Sequence, residues 1–180
     1  MPRPVAVAFV HGINATDLNF SISMRERLTR ALPRKLRPFV KYKSIFWADI
    51  VRGRSQAYLH QARASTVMAD SAYRRLVVEG LGDAAAYQKT RKRDNSAYFG
   101  IQDRVTQALD DIDAGDDPNR PLVVIAHSLG CHITSSYAWD INRLKQMPLE
   151  DVVKWGEESD RLASRLQSAS PFRRLDTFAG

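Results

Sequence analysis

The chain has 180 residues, 44% of them hydrophobic, with 27 Lys and Arg against 20 Asp and Glu for a formal charge of +7. That composition excludes a disordered chain and suffices for one domain with its own core. No apolar run approaches the roughly 20 residues of a membrane span, and Cys131 is the single cysteine, which excludes an internal disulfide framework.

Residues 5–10 are apolar, preceded by Pro2 and Pro4 and ended by His11 and Gly12. A run so short and so bounded predicts a buried parallel strand. It is too short for a signal peptide, so a cytoplasmic location is expected. Asn14, Ala15, Thr16 and Asp17 offer helix caps. Phe20, Met24, Leu28 and Leu32 follow at four-residue spacing and predict an amphipathic helix that Pro33 stops. Residues 40–47 read as a second strand.

From 55 to 113 the text is polar and helical, broken near Gly80-Leu81-Gly82 and by the basic run Lys89-Thr90-Arg91-Lys92-Arg93. Such a run is usually a solvated loop. It has no nucleic-acid-binding motif beside it, so no nucleic-acid partner is expected, while a membrane surface stays open. Ile101, Val105, Leu109 and Ile112 trace a helical stripe that Gly115 and Pro118 close. Leu122-Val123-Val124-Ile125-Ala126 is the strongest strand signal. Ile133, Tyr137, Ile141 and Leu144 then define a helix. A further helix is expected over 149–166 and a fourth strand over 174–179.

Short apolar strands alternating with helices predict a single α/β domain over 1–180. Its sheet should be open and mostly parallel, with helices on both faces and the 122–126 strand central. In such sheets ligands bind at the edge where the strands end. Two strand ends there are unusual. The first is Ala126-His127-Ser128-Leu129-Gly130, where a strand runs directly into a helix through a serine with small residues two positions away. This is the nucleophile-elbow pattern, with Ala126 in place of the first glycine. The sharp turn lifts the Ser128 hydroxyl out of the sheet and aims the Leu129 N–H at an oxyanion formed there. The second is Val10-His11-Gly12-Ile13-Asn14. Gly12 permits close backbone approach, and the N–H of Ile13 or Asn14 is the candidate second oxyanion donor.

V-H-G-I and A-H-S-L-G together resemble the α/β-hydrolase superfamily, nearest to its lipase- and esterase-like members. The resemblance runs from about Val5 to Ala179. Phe46-Trp47-Ala48-Asp49-Ile50 is also similar to bacterial hydrolases of this group. It implies a partial hydrolase fold that lacks the first two and the last strands. It also implies a serine hydrolase of carboxylic esters or lipids that works through an acyl-enzyme on Ser128. Backbone donors would be Ile13 and Leu129, with His11, Gly12, His127 and Gly130 in support and no cofactor. A family acid and histidine should follow the serine. All four histidines, His11, His60, His127 and His132, lie at or before the start of the nucleophile helix. The chain is therefore expected to be C-terminally truncated, with its histidine and acid beyond residue 180 and an exposed sheet edge that favours self-association. The alternative is a catalytically inactive binding or scaffold protein of the same fold.

Other candidates have simpler readings. His11 is the one substitute base on an adjacent strand end, but a histidine before the oxyanion glycine more often orients the loop. His132 is a packing or surface residue, and His60 an exposed one. Cys131 is read as packing and Asp176 as structural. Asp49 lines the pocket or orients a histidine supplied from elsewhere, with a helix N-cap the simpler reading. Asp83 and Tyr87, one turn apart, bond locally or shape a cap. Part of 55–113 is expected to cover Ser128 as that cap, with Tyr58, Leu59, Met68 and Tyr98 lining an acyl pocket. No His/Cys/Asp cluster has metal-ligand spacing.

Overall fold

A computed structural model describes residues 3–13, 15, 17–51, 87, 97–113 and 120–146. Expectations for Asn14, Tyr58, Leu59, His60, Met68, Asp83, the 89–93 run, the 149–166 helix and the 174–179 strand lie outside the described residues.

Three strands form the sheet: β1 (Val5–Val10), β2 (Val40–Ile45) and β3 (Leu122–Ala126), in the order β2-β1-β3, all parallel. Val5 pairs with Val40 and Val10 with Ile45 on one side; Ala6 pairs with Leu122 and Val10 with Ala126 on the other. The apolar β1 run thus becomes the doubly flanked strand, and Ala6 to Val10 are all buried. β3 was expected at the centre, but among the described residues it has a partner on one side only. Its Val123 is 47% exposed.

The two faces of β1 follow the two-residue period of a strand. Ala6, Ala8 and Val10 face α2 (Ala97–Asp113) and α3 (Leu129–Gln146) in one apolar cluster. Their small size leaves room for Trp47, Tyr137 and Ile101, none more than 1% exposed. The stripe Ile101, Val105, Leu109 and Ile112 on α2 is buried as its spacing predicts, and so are Ile133, Tyr137 and Ile141 on α3. Because α2 packs on this core, residues 97–113 are a sheet-covering crossover. Any cap drawn from 55–113 therefore falls on residues outside those described.

Val7 and Phe9 point to the opposite face. There Phe9 meets Tyr42, with ring centroids 6.0 Å apart. The Thr29 hydroxyl of α1 (Ile22–Ala31) donates to Tyr42 Oη at 3.2 Å. The start of α1 differs from expectation. Asp17 Oδ1 accepts the Asn19 N–H at 2.6 Å and makes a local turn rather than a cap. The helix begins at Ile22, and the Ser21 hydroxyl before it bonds to that of Ser44 instead of capping. No α1 residue is buried, so the Phe20–Leu32 stripe is not a core stripe; Met24 is 48% exposed. Pro33 does end the helix. Leu32 turns extended ahead of it, and a 3-10 turn over Arg34–Phe39 leads to β2.

β2 stops at Ile45, two residues before the expected end. The Trp47 N–H leaves the ladder for a side chain of β1's turn, and its carbonyl accepts the Ile50 N–H at 3.1 Å, starting a helical turn over 48–51.

Candidate active site

The turn after β1 is the more tightly held of the two strand ends. His11 is buried and hydrogen-bonds at both ring nitrogens. The Trp47 backbone N–H donates to His11 Nε2 at 3.0 Å. A backbone N–H can only donate, so Nε2 is the bare nitrogen and Nδ1 carries the proton. Nδ1–H then donates to the Gly12 carbonyl at 2.6 Å. The Trp47 indole N–H also donates to the His11 carbonyl, at 2.9 Å. Its ring stacks on the imidazole at 4.6 Å, with Phe20 and Phe46 at 4.9 and 5.0 Å. His11 is thus a neutral, fixed spacer that orients Gly12, and it has no nitrogen left to act as a base.

Trp47 is the residue that sequence reasoning missed. The pairing of Val10 with Ile45 brings position 47, two residues past Ile45, close to position 11, one residue past Val10. That register was the available signal. The same segment is anchored from α2. Arg104 donates to the Phe46 carbonyl at 2.7 Å and forks onto both Asp49 oxygens at 3.3 and 2.9 Å. Asp49 sits inside the helical turn over 48–51 rather than capping it, and ties that turn to α2.

The turn after β3 is different. The ladder continues one residue further, with the His127 N–H donating to the Val10 carbonyl at 3.1 Å. Ser128 then has φ 52°, the one non-glycine residue with positive φ among those described. For an L-residue that left-handed conformation costs about 1–2 kcal/mol, and such strain gathers at functional sites. Gly130 N–H to His127 O and Cys131 N–H to Ser128 O, both 2.9 Å, hold the turn. α3 opens at Leu129, so the Leu129 N–H lies in the first turn, where the helix's own ladder has no acceptor for it. Ser128 itself is exposed.

Two glycines let the turns interlock. A Cβ on Gly12 would stand 2.8 Å from His127 Nδ1 and 2.9 Å from Ser128 Cβ. A Cβ on Gly130 would stand 2.6 Å from the carbonyl oxygens of both Val10 and His11. Those spaces are closed to any side chain. The main chain before Ile13 therefore lies directly against the serine. Ala126, at the first small position of the elbow, sits level with Val10 in the sheet.

The remaining expected residues take lesser places. His127 is exposed, with its ring against Gly12. His132 is exposed and meets the Tyr87 ring edge-on at 5.4 Å. Cys131 is an exposed free thiol. Tyr87 and Tyr98 are both buried. They belong to a buried polar seam in which Tyr98 donates to Asp140, Gln102 donates to Tyr87 Oη at 2.6 Å, and the Tyr87 hydroxyl meets the Ile133 carbonyl at 3.5 Å. Burial pushes both phenols above their ordinary value of 10, and the neighbouring Asp140 carboxylate adds to the rise. Among the described residues no cluster of His, Cys, Asp and Glu is placed to hold a metal ion, and no helix is long and apolar enough to cross a membrane.

The fold and site together define an α/β protein, with an open parallel sheet whose third strand turns into a helix at a strained, exposed serine. Compared with known proteins, the chain matches no family model, no curated protein and no solved structure.

Proposed function

We propose that the protein is a serine hydrolase of the α/β-hydrolase type that cleaves a carboxylic ester or lipid through an acyl-enzyme on Ser128. The observation that carries this reading is the left-handed backbone of Ser128, exposed at the head of α3 and wedged against Gly12. Nothing in strand or helix geometry requires that strain. Such strain gathers at functional sites, and a nucleophile elbow is a turn of this kind.

On this reading Ser128 Oγ attacks the ester carbonyl carbon as its proton passes to a general base. The carbonyl oxygen becomes an oxyanion facing the N–H groups of Ile13 and Leu129. One such donor is worth about 3 kcal/mol of transition-state stabilisation. Collapse expels the alcohol, which takes the proton. Water then attacks the acyl-enzyme by the same steps, releasing the acid and restoring Ser128. His11 supplies no base, since both of its nitrogens are engaged. The base and its acid partner are assigned to residues outside those described.

Turnover of short-chain p-nitrophenyl esters tests the reading. Ser128→Ala should lower it by about 10³-fold or more with the fold intact. Equal turnover in wild type and variant contradicts a serine mechanism. A second reading, a scaffold that keeps the fold without the chemistry, is favoured by the commitment of His11. It predicts a folded protein that turns over no ester at all.

A further inference from the structure

The positive charge of the chain is concentrated in one stretch. Residues 25–43 hold eight Lys and Arg and one acid, Glu26, a formal +7 that equals the net charge of the whole chain. They run along α1, the 3-10 turn and β2. α1 buries no residue, whereas α2 and α3 each bury an apolar stripe. Of the five large hydrophobic side chains exposed among the described residues, three flank this stretch: Leu18, Ile22 and Met24, at 67%, 43% and 48% exposure. A groove of about 630 Å³, lined by residues that include Ile22, Arg25, Arg30 and Tyr42, runs along the same helix.

Part of the charge is engaged locally. Arg30 lies 3.6 Å from Glu26, Lys43 pairs with Asp111 at 2.5 Å, and Arg25 lies over the Tyr42 ring at 5.5 Å. Arg27, Arg34 and Lys35 are exposed and form no ion pair among the described residues. Long basic side chains beside exposed aliphatic ones, on a helix with no fully buried residue, suit a helix that lies in a lipid headgroup layer. Net positive charge alone would suit any polyanion. The aliphatic side chains decide against nucleic acid, which would leave them in water, whereas the acyl boundary takes them in. Single-stranded nucleic acid also wants open aromatic faces for stacking, and Tyr42 is already covered by Arg25.

We propose that α1 and the basic turn after it dock the protein on an anionic phospholipid surface. Phe20 packs on His11 and the Ser21 hydroxyl bonds to that of Ser44, so the start of α1 lies close to the sheet edge where β1 and β2 end. Docking does not depend on the chemistry proposed for Ser128.

Co-sedimentation with vesicles tests the proposal. The protein should bind vesicles of phosphatidylcholine mixed with phosphatidylserine and not phosphatidylcholine alone, and binding should weaken with salt. Each surface charge contributes about fivefold, so the triple variant Arg27→Gln, Arg34→Gln, Lys35→Gln should bind about a hundredfold more weakly at an unchanged melting temperature. Leu18→Ser with Met24→Ser should weaken the binding that survives at high salt. Ser128→Ala should bind as wild type does, which separates docking from hydrolysis. Equal sedimentation with both vesicle types, full binding by the triple variant, or tighter binding to duplex DNA than to mixed vesicles would overturn the proposal.

Discussion

The turns after β1 and β3 sit side by side at one sheet edge yet are built on opposite principles. The His11–Gly12 turn is buried, and both imidazole nitrogens of His11 and its carbonyl are hydrogen-bonded beneath three aromatic rings. The Ser128 turn is exposed and carries its serine in a strained backbone conformation. A strained turn holds its shape only where its surroundings over-determine it. Here the rigid neighbour does that, through Gly12 against Ser128 and Gly130 against the carbonyls of Val10 and His11. The immobile turn is thus the mould, and the strained one is pressed into it.

The largest break in this relationship should come from Gly130→Ala. Its methyl would meet two backbone oxygens at 2.6 Å, neither of which can swing aside. A loss of about 3 kcal/mol in chemical denaturation is expected, in the range of forced overpacking. Unchanged stability would mean that the turns do not interlock as described.

A smaller effect should follow from loosening the mould itself. Trp47→Phe keeps the ring stack but removes the indole donor and leaves the buried His11 carbonyl short of one partner. Stability should fall by about 2 kcal/mol, and the ester turnover proposed for Ser128 should slow by about tenfold as the Gly12 turn shifts. Lost stability with an unaltered rate would make the Trp47 contact purely structural.

The smallest effect isolates the strain. Ser128→Gly and Ser128→Ala both lack the hydroxyl, but only glycine accepts φ 52° without steric cost. The glycine variant should be about 1 kcal/mol more stable than the alanine variant in the same denaturation assay. Equal stability would argue against a left-handed Ser128.

Much of this arrangement was legible in the chain. The runs at 5–10 and 122–126 carry strand composition, and the stripes Ile101–Ile112 and Ile133–Ile141 carry helical spacing, so local pattern and packing agree there. A sharp turn at Ser128 between strand and helix was also legible, because small residues on both sides of it are a local steric requirement. The mould was not. His11 and Trp47 lie 36 residues apart, and Arg104 lies 55 from Asp49. Only the strand register brings such pairs together, and a single sequence does not state it. The spacing of Phe20, Met24, Leu28 and Leu32 suggested a buried stripe where α1 buries none. Periodicity reports which residues share a face, and it is silent on what that face meets.

The nucleophilic role proposed for Ser128 is tested most directly by treating the protein with a fluorophosphonate and mapping the adduct by peptide mass spectrometry. The adduct should sit on Ser128 alone and vanish in Ser128→Ala. A folded wild-type protein left unmodified, or modified at another residue, would contradict it.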